Sequence, residues 1–426
     1  MLTRRQTLRT LGALGVAAPV LSACTSTDSV QDHPADSDLR LVKADVAQSS
    51  GDPAAVPGVV DAMSAFAVDL WPQLGPPSDN LAMSPYSIAV ALAMTDNGAR
   101  GRTARAMSSV LHVDSLARYN AGMAALTQEL AGLAGPVEVN GKKSEIDLSP
   151  ANQLFGDASI HWQEAFLTVL AKQYGAGMRT VDFRAVEAAR ALVNSWTAQQ
   201  THDRIPEILP RGSVDAATRL VLVNALYFKA PWASPFEKAA TTPGRFHRAD
   251  GSTVEARLMS ADEGSTYISG VHFQGARLPY AGGTLAMTVA LPTGSEAAAL
   301  RELLGGLTGD GEPGLHLTMP RWTYRVATDL KDPLKSLGMA VAFGDHADFS
   351  GMTTDTQLAI TDVLHQTYVA VDEAGTEAAA ATAVVVGETS LPVTRHEVVL
   401  DRPFLYVVHD TAHGTPLFVG RVADPS

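Results

Sequence analysis

The chain has a single cysteine, Cys24, among 426 residues. No disulfide can close within it, so stability must come from packing. Aromatic residues are also few, at 6%, and charged residues reach only 18%. Positive charge is in deficit: 32 Lys and Arg stand against 45 Asp and Glu, a formal net charge of −13. That balance argues against a nucleic-acid partner, which needs clustered cations to displace counterions. Short catalytic motifs are missing too. There is no G-x-x-x-x-G-K-[ST] phosphate loop and no G-x-S-x-G nucleophile elbow. The nearest approach to H-E-x-x-H begins at His396 and Glu397 but has Leu400 where the second histidine belongs. The acidic run GDHADFSG at 344–351 lacks calcium-loop spacing. No metal, cofactor or enzymatic activity is expected.

The N-terminus carries a targeting signal. Arg4 and Arg5 precede the apolar run LGALGVAAPVLSA, which is too short and too rich in small residues to span a membrane comfortably. It ends in Leu21-Ser22-Ala23-Cys24. The pattern resembles a bacterial twin-arginine signal with a lipoprotein cleavage site. It implies loss of residues 1–23, lipid on Cys24, and an exported protein anchored to the outer face of the cell membrane. A plain signal peptide with an incidental cysteine, leaving the protein extracellular, is the alternative. Residues 24–52 are polar and rich in Ser and Asp, which predicts a flexible tether. Residues 53–426 read as one domain, and 46% hydrophobic residues suffice for a large core.

Within that domain, helical periodicity covers 59–74, 84–99, 102–111, 115–134, 162–175 and 186–205. Ser84 is placed to cap the second of these, with Pro85 in its first turn. That helix is apolar on nearly all sides and should be deeply buried. The character then changes. RLVLVNALYFKA at 219–230 is an unbroken apolar strand, as at the centre of a sheet covered on both faces. Strand patterns follow at 255–260, 265–270, 273–281, 285–294 and 315–329, with a short helix at 330–339. A long strand is predicted over 359–375, and FLYVVHD pairs with TPLFVGRVADP as a hairpin around TAHG. Helices first and strands later give an α+β protein.

One stretch fits neither loop nor ordinary strand: VDEAGTEAAAATAVVV, 371–386. Its Ala run favours helix, so a helical turn in a surface loop is one reading. Read as a strand, it presents Thr376, Ala378, Ala380 and Thr382 on one face, all small and uncharged. Glu377, Ala379 and Ala381 fall on the other face. Such a segment suits an exposed loop and equally suits insertion into a sheet.

With that stretch in view, the chain resembles the serpin family over almost the whole domain. The matching segments are NLAMSPYSIAVALAMTDNGARGRTARAM, LVLVNALYFKAPWASPFEKAATTPGRFH, ADFSGM, VLHQTYVAVDEAGTEAAAATA and DRPFLYVVHDTAHGTPLFVGRVADP. The resemblance implies a fold of three β-sheets, eight or nine helices and an exposed C-terminal reactive loop. It implies a monomeric suicide inhibitor of a serine protease, which attacks the loop and is trapped as an acyl-enzyme when the loop inserts. Glu373 and Gly375 then form the hinge, and Thr376, Glu377, Ala378, Ala379, Ala380, Ala381 and Thr382 the first inserting residues. Ser84, Ser87, Asn224 and His365 match the polar shutter beneath the parting strands, and Trp232 the breach where insertion starts. Counting from the hinge puts the scissile bond at Thr389-Ser390; Glu388, Ser390 and Leu391 remain alternative positions for the cleaved residue. A threonine there suits elastase-like or subtilisin-like proteases rather than trypsin-like ones. A non-inhibitory serpin is the alternative function, but such members carry bulky residues, charges or proline in the hinge, and the inward-facing Thr376, Ala378, Ala380 and Thr382 are none of these.

Overall fold

The computed structural model describes residues 39–377 and 395–426. The helices among them are α1 (Val56–Leu70), α2 (Pro85–Asp96), α3 (Gly101–Val110), α4 (Leu116–Ala131), α5 (Glu164–Tyr174), α6 (Val186–Gln200), α7 (Glu296–Gly305) and the single turn α8 (Lys331–Leu334). The main sheet comprises β1 (Arg40–Val42), β3 (Gly135–Val139), β4 (Lys142–Asp157), β5 (Met178–Val181), β6 (Leu220–Pro231), β13 (Trp322–Asp329), β14 (Asp362–Asp372) and β15 (Gly375–Thr376). Its order is β1-β5-β4-β6-β15-β14-β13, with β3 paired to β4. A second sheet runs β2 (Leu81–Met83), β18 (Pro416–Val422), β17 (Phe404–Asp410), β11 (Leu285–Pro292), β10 (Phe273–Pro279), β9 (Thr266–Ser269). The third runs β16 (His396–Val399), β12 (Leu315–Pro320), β8 (Thr253–Ala261), β7 (Thr242–His247).

The helix α2 is the axle of the fold. Ser84 Oγ accepts the Ser87 N–H, Pro85 occupies the first turn, and every residue from Pro85 to Asp96 is buried. It packs between the main sheet and the second sheet, as expected of a helix with no polar face. The strand β6 is buried at every position but Lys229, which explains its unbroken apolar run. It pairs antiparallel with β4 over Leu220–Lys229 and parallel with β14 over Val221–Leu226. The parallel seam between β6 and β14 is where the site lies.

Three expectations need correction. The polar segment taken as a tether to residue 52 is part of the fold from Leu39 onward. Leu39 is buried, Arg40–Val42 pairs with Met178–Thr180, and the amides of Ser49 and Asp52 donate to the carbonyls of Lys172 and Ala121. A polar composition does not prevent a segment from binding as an edge strand, where backbone groups supply the bonds. The stretch 315–329 is likewise two strands: β12 ends at Pro320 in the third sheet and β13 begins at Trp322 in the main sheet. The long strand expected over 359–375 also has a break, with β14 ending at Asp372 and a turn at Glu373-Ala374 leading into β15.

Candidate functional site: the seam and hinge of the main sheet

The seam is held from beneath by a buried polar cluster. Ser84 and Ser87 come from the first turn of α2, Asn224 from β6 and His365 from β14, where Asn224 and His365 are register partners. All are buried. His365 Nε2 accepts the Ser84 N–H at 2.9 Å. Nε2 must therefore be unprotonated, and the other ring nitrogen, Nδ1, donates to Asn224 Oδ1. Ser87 Oγ bonds to Asn152 Oδ1. Asn152 lies opposite Asn224 across the β4–β6 ladder and completes the cluster; reading the sequence alone missed it. Asn224 Nδ2 is buried with no partner among the described residues, a weak point at the seam. Burial pushes the His365 imidazole down to about 4, so it is neutral at pH 7.

At the upper end of the seam stands Trp232, the residue after β6. Its indole N–H donates to the Asp372 carbonyl at 3.0 Å, and its backbone N–H to the Ala374 carbonyl at 2.9 Å. Its ring stacks on Tyr280 at 4.6 Å with 10° between planes. Tyr280 was not foreseen; it sits just past β10 and is itself fully buried, which pushes its hydroxyl well above the ordinary tyrosine range. Glu373 turns inward at the end of β14. Its Oε1 accepts from Thr241 Oγ1 at 2.7 Å, and Arg321 Nε lies 3.7 Å from Oε2. Gly375 has φ +154° and passes so close to β6 that an added Cβ would stand 2.2 Å from the Ala230 carbonyl oxygen. Only glycine fits there.

The hinge is already in the sheet. Gly375 and Thr376 pair with Asp372 and Val371 on one side and with Pro231 and Ala230 on the other. Thr376 is buried, its hydroxyl 2.6 Å from that of Tyr280. Glu377 turns away with φ +50°, its amide donating to the Ala370 carbonyl and its carboxylate bonding to Arg204. Burial raises that carboxyl above its ordinary value despite the guanidinium, while the better-exposed Arg204 is raised by the pair itself. The desolvated carboxylate decides the balance, so the contact fixes position more than it adds stability. Cys24, Ala378, Ala379, Ala380, Ala381, Thr382, Thr389 and Ser390 lie outside the described residues.

A strand seam with a neutral polar lock beneath it and a small-residue segment docked at its upper end is a device for admitting a further strand. Comparison with known proteins gives the same reading a family. The model described as "Serpin (serine protease inhibitor)" matches residues 61–425. The leukocyte elastase inhibitor of Sus scrofa is 35% identical over 384 residues, covering 85% of this chain and 98% of that protein. Serpin B4 of Homo sapiens is 33% identical over 389 residues, covering 86% and 99%. Among solved structures, a thermophilic serpin, tengpin, in its native state, superposes with a TM-score of 0.79 at 26% identity, covering 91% of this chain and all of that one.

Proposed function

The chain belongs to the serpin family, and from that premise we infer that it inhibits a serine endopeptidase as a suicide substrate. The protease's serine oxygen attacks a loop carbonyl, the amide bond breaks, and the amine becomes the new N-terminus of the C-terminal piece, whose strands β16, β17 and β18 belong to the second and third sheets. An ester now joins the protease to the loop. Freed at that end, the loop enters between β6 and β14 as an added strand. Each ladder hydrogen bond contributes roughly 1 kcal/mol net, and a strand of about a dozen residues gathers enough to carry the protease away before the ester hydrolyses. The observation that carries this reading is β15: the first residues of the segment already pair on both sides within the seam they would fill. Its continuation, Ala378 to Ala381 and Thr382, is small and uncharged, so nothing on it opposes burial. The protein supplies no catalytic residue; the target's own machinery breaks the bond.

Thr389-Ser390 is the bond offered, and an elastase-like or subtilisin-like protease the target, because threonine fills a small primary pocket. Arg4, Arg5 and the Leu21–Cys24 motif support export and a lipid anchor on Cys24 at the outer face of a bacterial membrane. The test is incubation of residues 39–426 with elastase-, subtilisin-, glutamyl- and trypsin-type enzymes. A band at the summed mass, stable in denaturant, is expected with one of the first two, and the released peptide should begin at Ser390. Clean cleavage in the loop without such a band would count against inhibition. For the anchor, Cys24→Ala should move the full-length protein out of the membrane fraction; unchanged association would dismiss lipidation.

A further inference from the structure

The docked hinge is gripped from both faces of the sheet. On the inner face, the Tyr280 hydroxyl meets Thr376 Oγ1 at 2.6 Å. Tyr280 is in turn held by its stack on Trp232 and by an edge contact with Phe228 at 5.1 Å. On the outer face, Arg204, in the segment after α6, bonds to the Glu377 carboxylate. Arg204 is fixed as well: its carbonyl accepts from Arg325 Nη2 at 2.6 Å, and both guanidiniums lie over the Tyr368 ring, at 5.6 and 5.7 Å. Neither Tyr280 nor Arg204 belongs to the polar cluster beneath the seam.

We propose that Tyr280 and Arg204 are positioning residues that hold Gly375-Thr376 as a preformed first rung of the inserted strand and so fix its register. The proposal rests on the inhibitory reading above. Adjacent side chains on a strand face opposite ways, so Thr376 and Glu377 can be gripped only from opposite sides. A slip of one residue would turn Glu377 toward the buried Tyr280 and Trp232, placing a carboxylate in an apolar pocket. Two grips on neighbouring residues exclude that slip before the loop is cut. They also complete the first pairing step in advance. Insertion then begins from an existing nucleus, in competition with hydrolysis of the ester. Loss of either grip should slow insertion and let more of the inhibitor be consumed as substrate.

The experiment uses residues 39–426 and two readouts. Hydrogen exchange of the peptide spanning 373–377 in the uncleaved protein reports the grip with no protease present. Stoichiometry of inhibition against the protease trapped by the wild type reports its consequence. Tyr280→Phe keeps the ring and its stack but loses the hydroxyl; Arg204→Gln loses the ion pair; Thr376→Val removes the other half of the inner contact. Each should raise exchange at 375–377, and the fraction cleaved without trapping should rise about fivefold, the rate equivalent of one hydrogen bond. Tyr280→Phe combined with Thr376→Val should do no more than either alone, because both delete one bond. Unchanged exchange in Tyr280→Phe and Arg204→Gln overturns the grip. Faster exchange with unchanged stoichiometry overturns its role in insertion. A protected hinge in a wild type that traps no protease overturns the inhibitory reading instead, and the positioning role with it.

Discussion

At His365 the two ring nitrogens face groups of opposite character: an N–H of Ser84 at Nε2 and the carbonyl oxygen of Asn224 at Nδ1. Only the neutral ring with its proton on Nδ1 satisfies both. Charging it would set a donor against a donor in a site without water-facing surface. His409 is similar, buried in β17 with Nε2 at 2.8 Å from Thr288 Oγ1 and Nδ1 at 2.9 Å from the Asp410 carbonyl. Burial holds each ring down to about 4, against 6.5 in the unfolded chain. Between those values the unfolded state binds more protons than the folded one, so stability rises with pH. The contribution of each histidine is complete above about pH 6.5, falls as the pH drops, and is gone below about 4; it is on the order of 3 kcal/mol. Melting temperature measured from pH 8 to 4 should therefore fall steeply below 6.5. Burial also raises the Asp96 carboxyl to about 6, which works against the histidines in the same window; in His365→Gln the fall should be smaller than in the wild type, on top of a lower starting value. An identical slope in the variant would mean that His365 does not titrate in this window.

At the scale of elements, the strap from Leu39 to Asp52 changes where the domain begins. Besides its pairing with β5, Gly51 lies so close to α4 that an added Cβ would stand 2.3 Å from the Ala125 nitrogen and 2.4 Å from the Ala121 oxygen. A chain starting at Pro53 loses the burial of Leu39 and several backbone bonds, about 2–4 kcal/mol together. Its apparent melting temperature should be lower than that of residues 39–426, and Gly51→Ala should reproduce part of the loss; equal melting of the two chains would show the strap to be passive. The strap was hidden because backbone groups hold most of it, and composition does not report those. The α2 helix and the β6 strand were legible because uniform burial leaves an uninterrupted apolar pattern. Only Arg321 separates β12 from β13, so the two looked like one strand, although the inward positions switch from Leu315, Leu317 and Met319 to Pro320 and Trp322 there and the strands serve different sheets. At the site, Ser84, Ser87, Asn224, His365 and Trp232 followed from family resemblance. Asn152 stands far in sequence from the polar cluster, and Tyr280 and Arg204 stand far from the hinge; only the folded register brings each to its place.

For the whole molecule, the inhibitory reading requires that the uncleaved state is not the most stable arrangement of the same residues. Below β15, β6 and β14 pair directly over Val221–Leu226, and full insertion exchanges that single seam for two. The gain is roughly a dozen ladder bonds, on the order of 10 kcal/mol. Protein cut in its loop by a protease that it does not trap should therefore melt about 10 °C above the intact form; equal melting temperatures would show that no strand is added. The chain's freedom to drift is uneven along the same segment. At 376 any small side chain could lie against Tyr280, whereas at 375 the Ala230 carbonyl leaves no room for a single methyl. A side chain at Gly375 would leave the sheets and helices in place and take away the foothold of the loop, so one missing methyl group decides whether the device can start.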